Sequence, residues 1–200
     1  MTRPRRLVRR TRRLEVRPLR AGDHARWRDA HRAALPKRNA WDRGRREEDA
    51  LARARFRALL RDQEKRRAAD LFYDLAVFRR DTGEFVGTVS AMDVLRGLSQ
   101  SAYLGYFLVN RHWGRGYGKE AVRAMLDVAF RDLRLHRVEA GIEPGNRRSI
   151  ALARSLGLRR EGLKRRAVFL RGRWADLLMY SATCEEFGIS WRGETRPRAV

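Results

Sequence analysis

The sequence predicts a single α/β domain built on one mixed, mostly antiparallel sheet with a central β-α-β crossover. The chain has 200 residues and a hydrophobic fraction of 43%, which suits one domain with a sizeable core. Strand-like segments lie on both sides of a glycine-rich turn, and that turn leads into an amphipathic helix. We find no internal repeat and no second domain.

Local signals mark most of the elements. Asp23 is a suitable N-cap for the first helix, and Asp81-Thr82-Gly83 is a hairpin turn signal. Asn146 can cap a later helix, for which Gly157 provides the C-terminal stop. In chain order we expect a strand at 14–16, helices at 23–34 and 46–67, strands at 71–79, 84–94 and 102–110, a helix at 118–133, a strand at 136–142, a helix at 146–157, and strands at 159–170 and 174–183.

Both ends are expected to lie outside the domain. Residues 1–13 contain seven arginines and almost nothing apolar, which predicts a flexible basic tail able to touch nucleic acid. The domain is expected over 14–184, followed by a C-terminal tail at 185–200. No apolar run is long enough to span a bilayer, so we expect a soluble, cytoplasmic protein without a membrane partner.

The net charge of +23 has two interpretations, and both stay open. Basic side chains attract polyanions such as ribosomal RNA, because binding releases counterions from phosphates. The basic residues are almost all arginine, however, which GC-rich coding would also produce. The lone Cys184 and four scattered histidines predict neither a disulfide framework nor a metal site.

The most informative stretch is the turn with glycines at 114, 116 and 118. Uncovered amides at the start of a helix suit a phosphate or pyrophosphate, although a merely flexible turn is the plainer alternative. A nucleotide P-loop does not fit, since Gly114 and Gly118 are one residue too close and Glu120 follows Lys119. The dinucleotide pattern fits at Gly116, but too little chain remains for a doubly wound sheet.

The surroundings of this turn resemble the GNAT acetyltransferase superfamily, and within it the Rim-type ribosomal-protein N-terminal alanine acetyltransferases. The resemblance covers about residues 13–183. It rests on several short motifs in order, which are Val94-Leu-Arg-Gly97, Ala102-Tyr-Leu-Gly-Tyr106, Gly114-Arg-Gly116, Glu120-Ala121, His136-Arg-Val138, Asn146-Arg-Arg-Ser149, Leu156-Gly157, Glu161-Gly162 and Gly172-Arg-Trp-Ala-Asp176.

Three positions depart from the superfamily pattern. Trp113 stands where the pyrophosphate loop has Gln or Arg, and Leu158 stands where Phe is usual. Ala153 occupies the position of a tyrosine that protonates the departing thiolate in many members. The Rim-type pattern also lacks that tyrosine, and the resemblance then makes Ser149 the better candidate for this role.

The resemblance implies the GNAT acyltransferase fold, acetyl-CoA as co-substrate, and no metal. It implies that strand 102–110 splays from strand 136–142 to admit the pantetheine arm, and that amides near Phe107–Val109 polarise the acetyl carbonyl. The residues expected to contact the cofactor are Phe107, Leu108, Val109, Gly114, Arg115, Gly116, Tyr117, Gly118, Lys119 and Asn146. The expected catalytic residues are Ser149 and Asn146.

The acceptor is expected to be a primary amine. About one α-amino group in seven is neutral at pH 7, against about one lysine in 2,500, so an α-amine requires little from a general base. Glu120, Glu139, Glu161 and Asp176 are the possible bases, and each also suits a structural role.

Three functions remain possible from the sequence. The first is acetylation, by direct attack in a ternary complex, of the N-terminal α-amine of a ribosomal protein, with ribosomal RNA contacted through the basic tail. The second is acetylation of a small-molecule amine. The third is a non-catalytic ribosome- or RNA-binding protein on the same fold. The oligomeric state stays open.

Overall fold

The computed structural model describes residues 7–191 and contains one eight-stranded sheet. The strands are β1 Arg9–Arg10, β2 Leu14–Arg17, β3 Tyr73–Arg79, β4 Phe85–Leu95, β5 Ser101–Leu108, β6 Arg137–Ile142, β7 Arg159–Leu170 and β8 Arg173–Thr183. The α-helices are α1 His24–Arg32, α2 Arg53–Ala68, α3 Tyr117–Asp127 and α4 Arg147–Ser155. None of the helices in the described range is long and apolar enough to cross a bilayer.

The strand order across the sheet is β1-β2-β3-β4-β5-β6-β8-β7. All neighbouring strands are antiparallel except β5 and β6, which are parallel and joined through α3. The mixed, mostly antiparallel sheet with one central crossover is therefore confirmed. Apolar side chains of α3 and α4 cover one face of the sheet, and those of α1 and α2 cover the other.

Two predicted helices differ in detail from the structure. The helix expected at 46–67 is interrupted at Ala52, whose ψ of 146° is extended, so that a 3-10 turn at Glu48–Leu51 precedes α2. This break lets Leu51 and Phe56 both be buried in the same core. The helix expected at 118–133 ends as a π-turn at Val128–Asp132.

The ends of the described chain pack on the domain, unlike the expected tails at 1–13 and 185–200. Leu7 is buried, and Arg9 lies 2.5 Å from carboxylate oxygens of both Asp127 and Asp132. Phe187 packs against Phe130 with ring centroids 5.4 Å apart. Ion pairs with residues distant in sequence thus fix the segment around Arg9 on the domain, although its charge alone predicts a flexible tail. Residues 1–6 and 192–200 lie outside the described residues.

The two parallel strands separate after a short contact. They pair only through Ser101–Tyr103 and Arg137–Glu139, and from there β5 stays with β4 while β6 stays with β8. The expected splay between these two strands is therefore present. It opens toward the C-terminal ends of β5 and β6.

Gly87 allows β4 to follow β5 closely at the open end of the splay. A Cβ atom on this residue would lie 2.0 Å from the Phe107 carbonyl oxygen and 2.8 Å from the Leu108 Cα. Both atoms belong to the backbone, so no side-chain rotation relieves the overlap. A glycine is therefore required here by packing.

We expect Gly87→Ala to destabilise the domain by more than about 2 kcal/mol in urea unfolding, because the added methyl must displace a strand. Gly22→Ala is the matched control, since a Cβ there meets nothing within 4 Å. Equal unfolding midpoints for the two variants would contradict the close approach.

His31 makes stability depend on pH. The side chain is 2% exposed and stacks between Phe85 and Phe107, with ring centroids 5.5 and 5.9 Å away. Burial lowers the pKa of His31 to about 4, so the folded state excludes a proton that the unfolded chain binds below about pH 6.5.

Stability should therefore fall as the pH drops from about 6.5 to 4, with this histidine contributing up to about 3 kcal/mol. We expect His31→Gln to lose less stability than wild type between pH 7 and pH 4.5 in urea titrations. A parallel loss in both proteins would show that other groups cause the acid sensitivity.

Candidate active site

The glycine turn presents its backbone amides at the start of α3. Gly114 and Gly116 have φ values of 79° and 77°, and Gly116 is the N-cap of the helix without a side-chain cap. No acceptor within the described part of the chain bonds the amides of residues 114–119. The positive end of the helix and these amides together suit a pyrophosphate.

Segment 11–13 holds this turn in place. Arg13 donates to the Arg115 carbonyl at 2.9 Å, and its guanidinium lies 4.7 Å from the Tyr117 ring centroid. Glu120 accepts bonds from Thr11 and from Arg13. Burial alone would raise the pKa of Glu120, but these hydrogen bonds outweigh it and lower the pKa. Glu120 is therefore an anchoring carboxylate.

Gly118 has a packing role. A Cβ on it would lie 3.2 Å from Leu108 Cδ1 and 3.6 Å from Leu152 Cδ2. The glycine thus brings α3 close to β5 and α4, whereas Lys119 beside it is exposed.

The backbone amides of β5 alternate between β4 and the splay. The Val109 amide donates to the Val86 carbonyl at 2.9 Å and is committed to β4. Because backbone groups alternate sides along a strand, the Leu108 amide and carbonyl point the other way. Of the residues predicted to polarise the acetyl carbonyl, Leu108 therefore has the suitable orientation, while the Phe107 side chain packs on His31.

Trp113 makes a hydrogen bond that its sequence position did not indicate. Its indole Nε1 donates to the Leu108 carbonyl at 3.0 Å. The guanidinium carbons of Arg148 and Arg38 lie 4.6 and 5.9 Å from the Trp113 ring centroid. Trp113 thus links β5, α4 and the segment after α1. The family pattern has Gln or Arg at this position.

Asn146 and Ser149 begin α4 beside the splay. The Asn146 side chain accepts from the Ser149 amide at 3.3 Å, which confirms the expected N-cap. Ser149 is partly buried and neighbours the Tyr106 hydroxyl. Burial raises the pKa of Tyr106, and the Ser149 hydroxyl partly opposes that rise. The Tyr106 hydroxyl is buried and makes no hydrogen bond of normal geometry among the described residues.

Tyr106 was missed as a site residue by sequence reasoning, which treated Ala102-Tyr-Leu-Gly-Tyr106 only as a family motif. The available signal was the alternation along β5, which places Tyr106 on the same face of the sheet as α4.

The other possible bases are engaged in ion pairs or turns. Glu139 lies 2.7 Å from the Arg137 guanidinium, and Asp176 accepts from the Arg166 amide at 2.7 Å. The Arg137 guanidinium and the Ser181 hydroxyl lower the pKa of Glu161 to about 2. The observed contacts therefore favour a structural role, and not that of a general base, for Glu139, Glu161 and Asp176.

A group of metal-capable side chains forms away from the open end of the splay. Atoms of His136, Cys184 and Glu185 lie within 4.8 Å of one another. Burial, followed by the nearby Glu185, raises the pKa of Cys184 to about 11, so the thiol stays protonated at neutral pH. His136 Nε2 lies 3.3 Å from Glu185 Oε2, and this contact alone accounts for the proximity of the two side chains.

Comparison with known proteins identifies the class of protein. Residues 13–159 match the family model described as "Acetyltransferase (GNAT) domain". The chain therefore belongs to the GNAT acetyltransferase family, whose co-substrate is acetyl-CoA.

Individual relatives are similar over part of their length. "Probable N-acetyltransferase YjcK" of Bacillus subtilis is 38% identical over 120 residues, 60% of this chain and 66% of that protein. "[Ribosomal protein uS5]-alanine N-acetyltransferase" of Escherichia coli is 30% identical over 116 residues, 58% of this chain and 59% of that protein. The matched segments thus span less than two thirds of these curated relatives.

A solved structure is similar over most of the chain. "Mycobacterium smegmatis RimJ in complex with CoA-disulfide" has a TM-score of 0.76 and 26% identity, and the match covers 92% of this chain and 90% of that one. The Rim-type likeness seen in the motifs is therefore supported by both sequence and fold.

We expect Gly116→Glu to abolish CoA binding in calorimetry while the fold is retained, because a carboxylate would stand at the predicted pyrophosphate position. Gly188→Glu is the control for placing a glutamate at a positive φ, which is 68° at Gly188; a Cβ there meets nothing within 4 Å, whereas one at Gly116 lies 3.2 Å from Arg13 Nη2. Unchanged CoA affinity in Gly116→Glu would refute the assignment of the loop.

Proposed function

We propose that this chain transfers the acetyl group of acetyl-CoA to the N-terminal α-amine of a protein, with ribosomal proteins as the substrate class. The observation that carries the proposal is the splay between β5 and β6. It has the free amides of residues 114–119 and the Ser149 hydroxyl at its borders. The similarity to a uS5-alanine N-acetyltransferase supports the acceptor class.

The proposed roles follow from the contacts. Amides of residues 114–119 hold the pyrophosphate, and the Leu108 amide donates to the thioester carbonyl as charge develops on its oxygen. A neutral α-amine attacks the carbonyl carbon, the carbon–sulfur bond breaks, and Ser149 donates its proton to the departing sulfur. The proton released by the amine passes to water, and water restores the serine proton.

An α-amine acceptor is consistent with the state of the carboxylates. The Arg171 guanidinium, followed by the Trp41 indole, lowers the pKa of Glu143, which lies directly after β6. Such a carboxylate is a weak base, as are the ion-paired Glu120 and Glu161. An amine of low pKa needs less assistance, because a sizeable fraction is already neutral at pH 7.

We expect Ser149→Ala to lower kcat by about ten- to a thousandfold with little change in the KM for acetyl-CoA. Ser155→Ala is the matched control, because Ser155 is on the same helix and its hydroxyl donates only to the Leu152 carbonyl.

Peptides with a free N-terminus, incubated with acetyl-CoA and read by mass spectrometry, provide the assay. Equal turnover of the two serine variants would exclude Ser149 as the proton donor. Acetylation of small amines but of no peptide N-terminus would contradict the proposed acceptor.

A further inference from the structure

Two cationic segments meet at the open end of the splay. One is the 35–47 loop, and the other is the arm formed by residues 163–175 of β7 and β8. Both contact Glu143, which accepts a hydrogen bond from Trp41 Nε1 at 2.7 Å and pairs with Arg171. Glu143 directly follows the C-terminal end of β6, so the two segments border the opening through which an acceptor approaches.

Asn110 fixes the loop at the end of β5. Its side chain accepts from the Leu35 amide at 2.7 Å and donates to the Leu35 carbonyl at 2.8 Å. It also donates to Asp42 at 2.9 Å, and Asp42 in turn accepts from the amides of Arg38 and Gly44. These hydrogen bonds therefore hold the loop in a defined position on the domain.

The arm extends beyond the sheet. β6 ends at Ile142, which pairs with Leu178, whereas residues 173–177 of β8 have only β7 as a neighbour. At about 3.4 Å per residue, these five positions span roughly 17 Å, the length of about five extended residues. An acceptor chain leaving the splay would thus run along the arm for several residues.

Charge on this surface is strongly one-sided. The arm carries Lys164, Arg165, Arg166, Arg171 and Arg173, and the carboxylate that follows it, Asp176, accepts a hydrogen bond from the Arg166 amide. Of these, only Arg171 forms an ion pair within residues 7–191. The loop adds five basic residues and two carboxylates, of which Asp42 is buried and hydrogen-bonded and Glu47 is exposed. Phe169 and Trp174 on the arm, both 61% exposed, add an aromatic pair.

We propose that this surface selects acceptors whose N-terminus is followed by acidic residues at about positions 2 to 6. The inference rests on the proposed function and narrows its substrate class. A bare amine brings positive charge toward positive charge, whereas carboxylates behind it pair with guanidinium groups and offset that repulsion. RNA would also match the charge, but the surface borders the acetyl-transfer position, where an amine-bearing chain must enter.

The test uses three peptides that share an N-terminal alanine and differ only at positions 3–6, which are all Glu, all Gln or all Lys. We expect kcat/KM to fall in that order, by at least about tenfold from the Glu to the Lys peptide, and the ratio to shrink in high salt. In the double variant Arg171→Gln/Arg173→Gln the Glu-to-Gln ratio should fall, because two of the cations that border the opening are removed. Arg160→Gln, at the far end of β7, should keep the wild-type ratio.

The outcomes separate the two proposals. Equal rates for all three peptides would overturn the charge selection and leave peptide acetylation standing. No acetylation of any peptide would overturn both. An unchanged peptide ratio in the double variant, combined with weaker binding of a labelled single-stranded RNA, would make the arm an RNA surface and the selection proposal wrong.

Discussion

The structure depends on one constraint, the parting of β5 and β6 after three paired residues. Each strand is then hydrogen-bonded along one edge only, and the backbone groups of the facing edges need other partners. The chain supplies one of them, because the Trp113 indole donates to the Leu108 carbonyl. The Leu108 amide beside it remains directed into the splay, where a thioester carbonyl can use it. Trp113 therefore contributes to the site by a hydrogen bond to the edge of β5 and not by a contact within the glycine turn.

Local sequence signals predicted the elements, and long-range contacts determined what they missed. The cap at Asn146 and the turn at Gly116 depend on residues a few positions apart, so the pattern is visible in the sequence. The order of the first described residues depends on Arg9 meeting Asp127, which is 118 residues away. The neighbourhood of Tyr106 and Ser149 likewise needs β5 and α4 to be placed side by side. Secondary-structure propensities do not indicate which residues that are distant in sequence come into contact.

The arginines fall into two groups by their surroundings. Several are structural, such as Arg17, which forms a buried bidentate pair with Asp23, and Arg137, which bridges Glu139 and Glu161. Removing one partner of such a pair leaves a poorly solvated charge, so these residues support the fold. The side chains of the arm residues 164–166 form no ion pair in the described part of the chain, although the Arg166 amide donates to Asp176. A composition bias explains the supply of arginine, but it does not explain why the side chains of residues 164–166 are left without ion pairs.

Capping and participation in the site are compatible roles for Asn146. Its side chain accepts from the Ser149 amide, which fixes the Ser149 backbone in the first turn of α4 and leaves the serine hydroxyl free to donate elsewhere. That hydroxyl lies beside the buried Tyr106 hydroxyl, on the helix face where Ala153 follows one turn later. Ala153 is buried in the same core against which Tyr106 packs. The helix cap positions the Ser149 backbone, and the strand tyrosine lies beside its hydroxyl, so two elements that are distant in sequence determine the surroundings of Ser149.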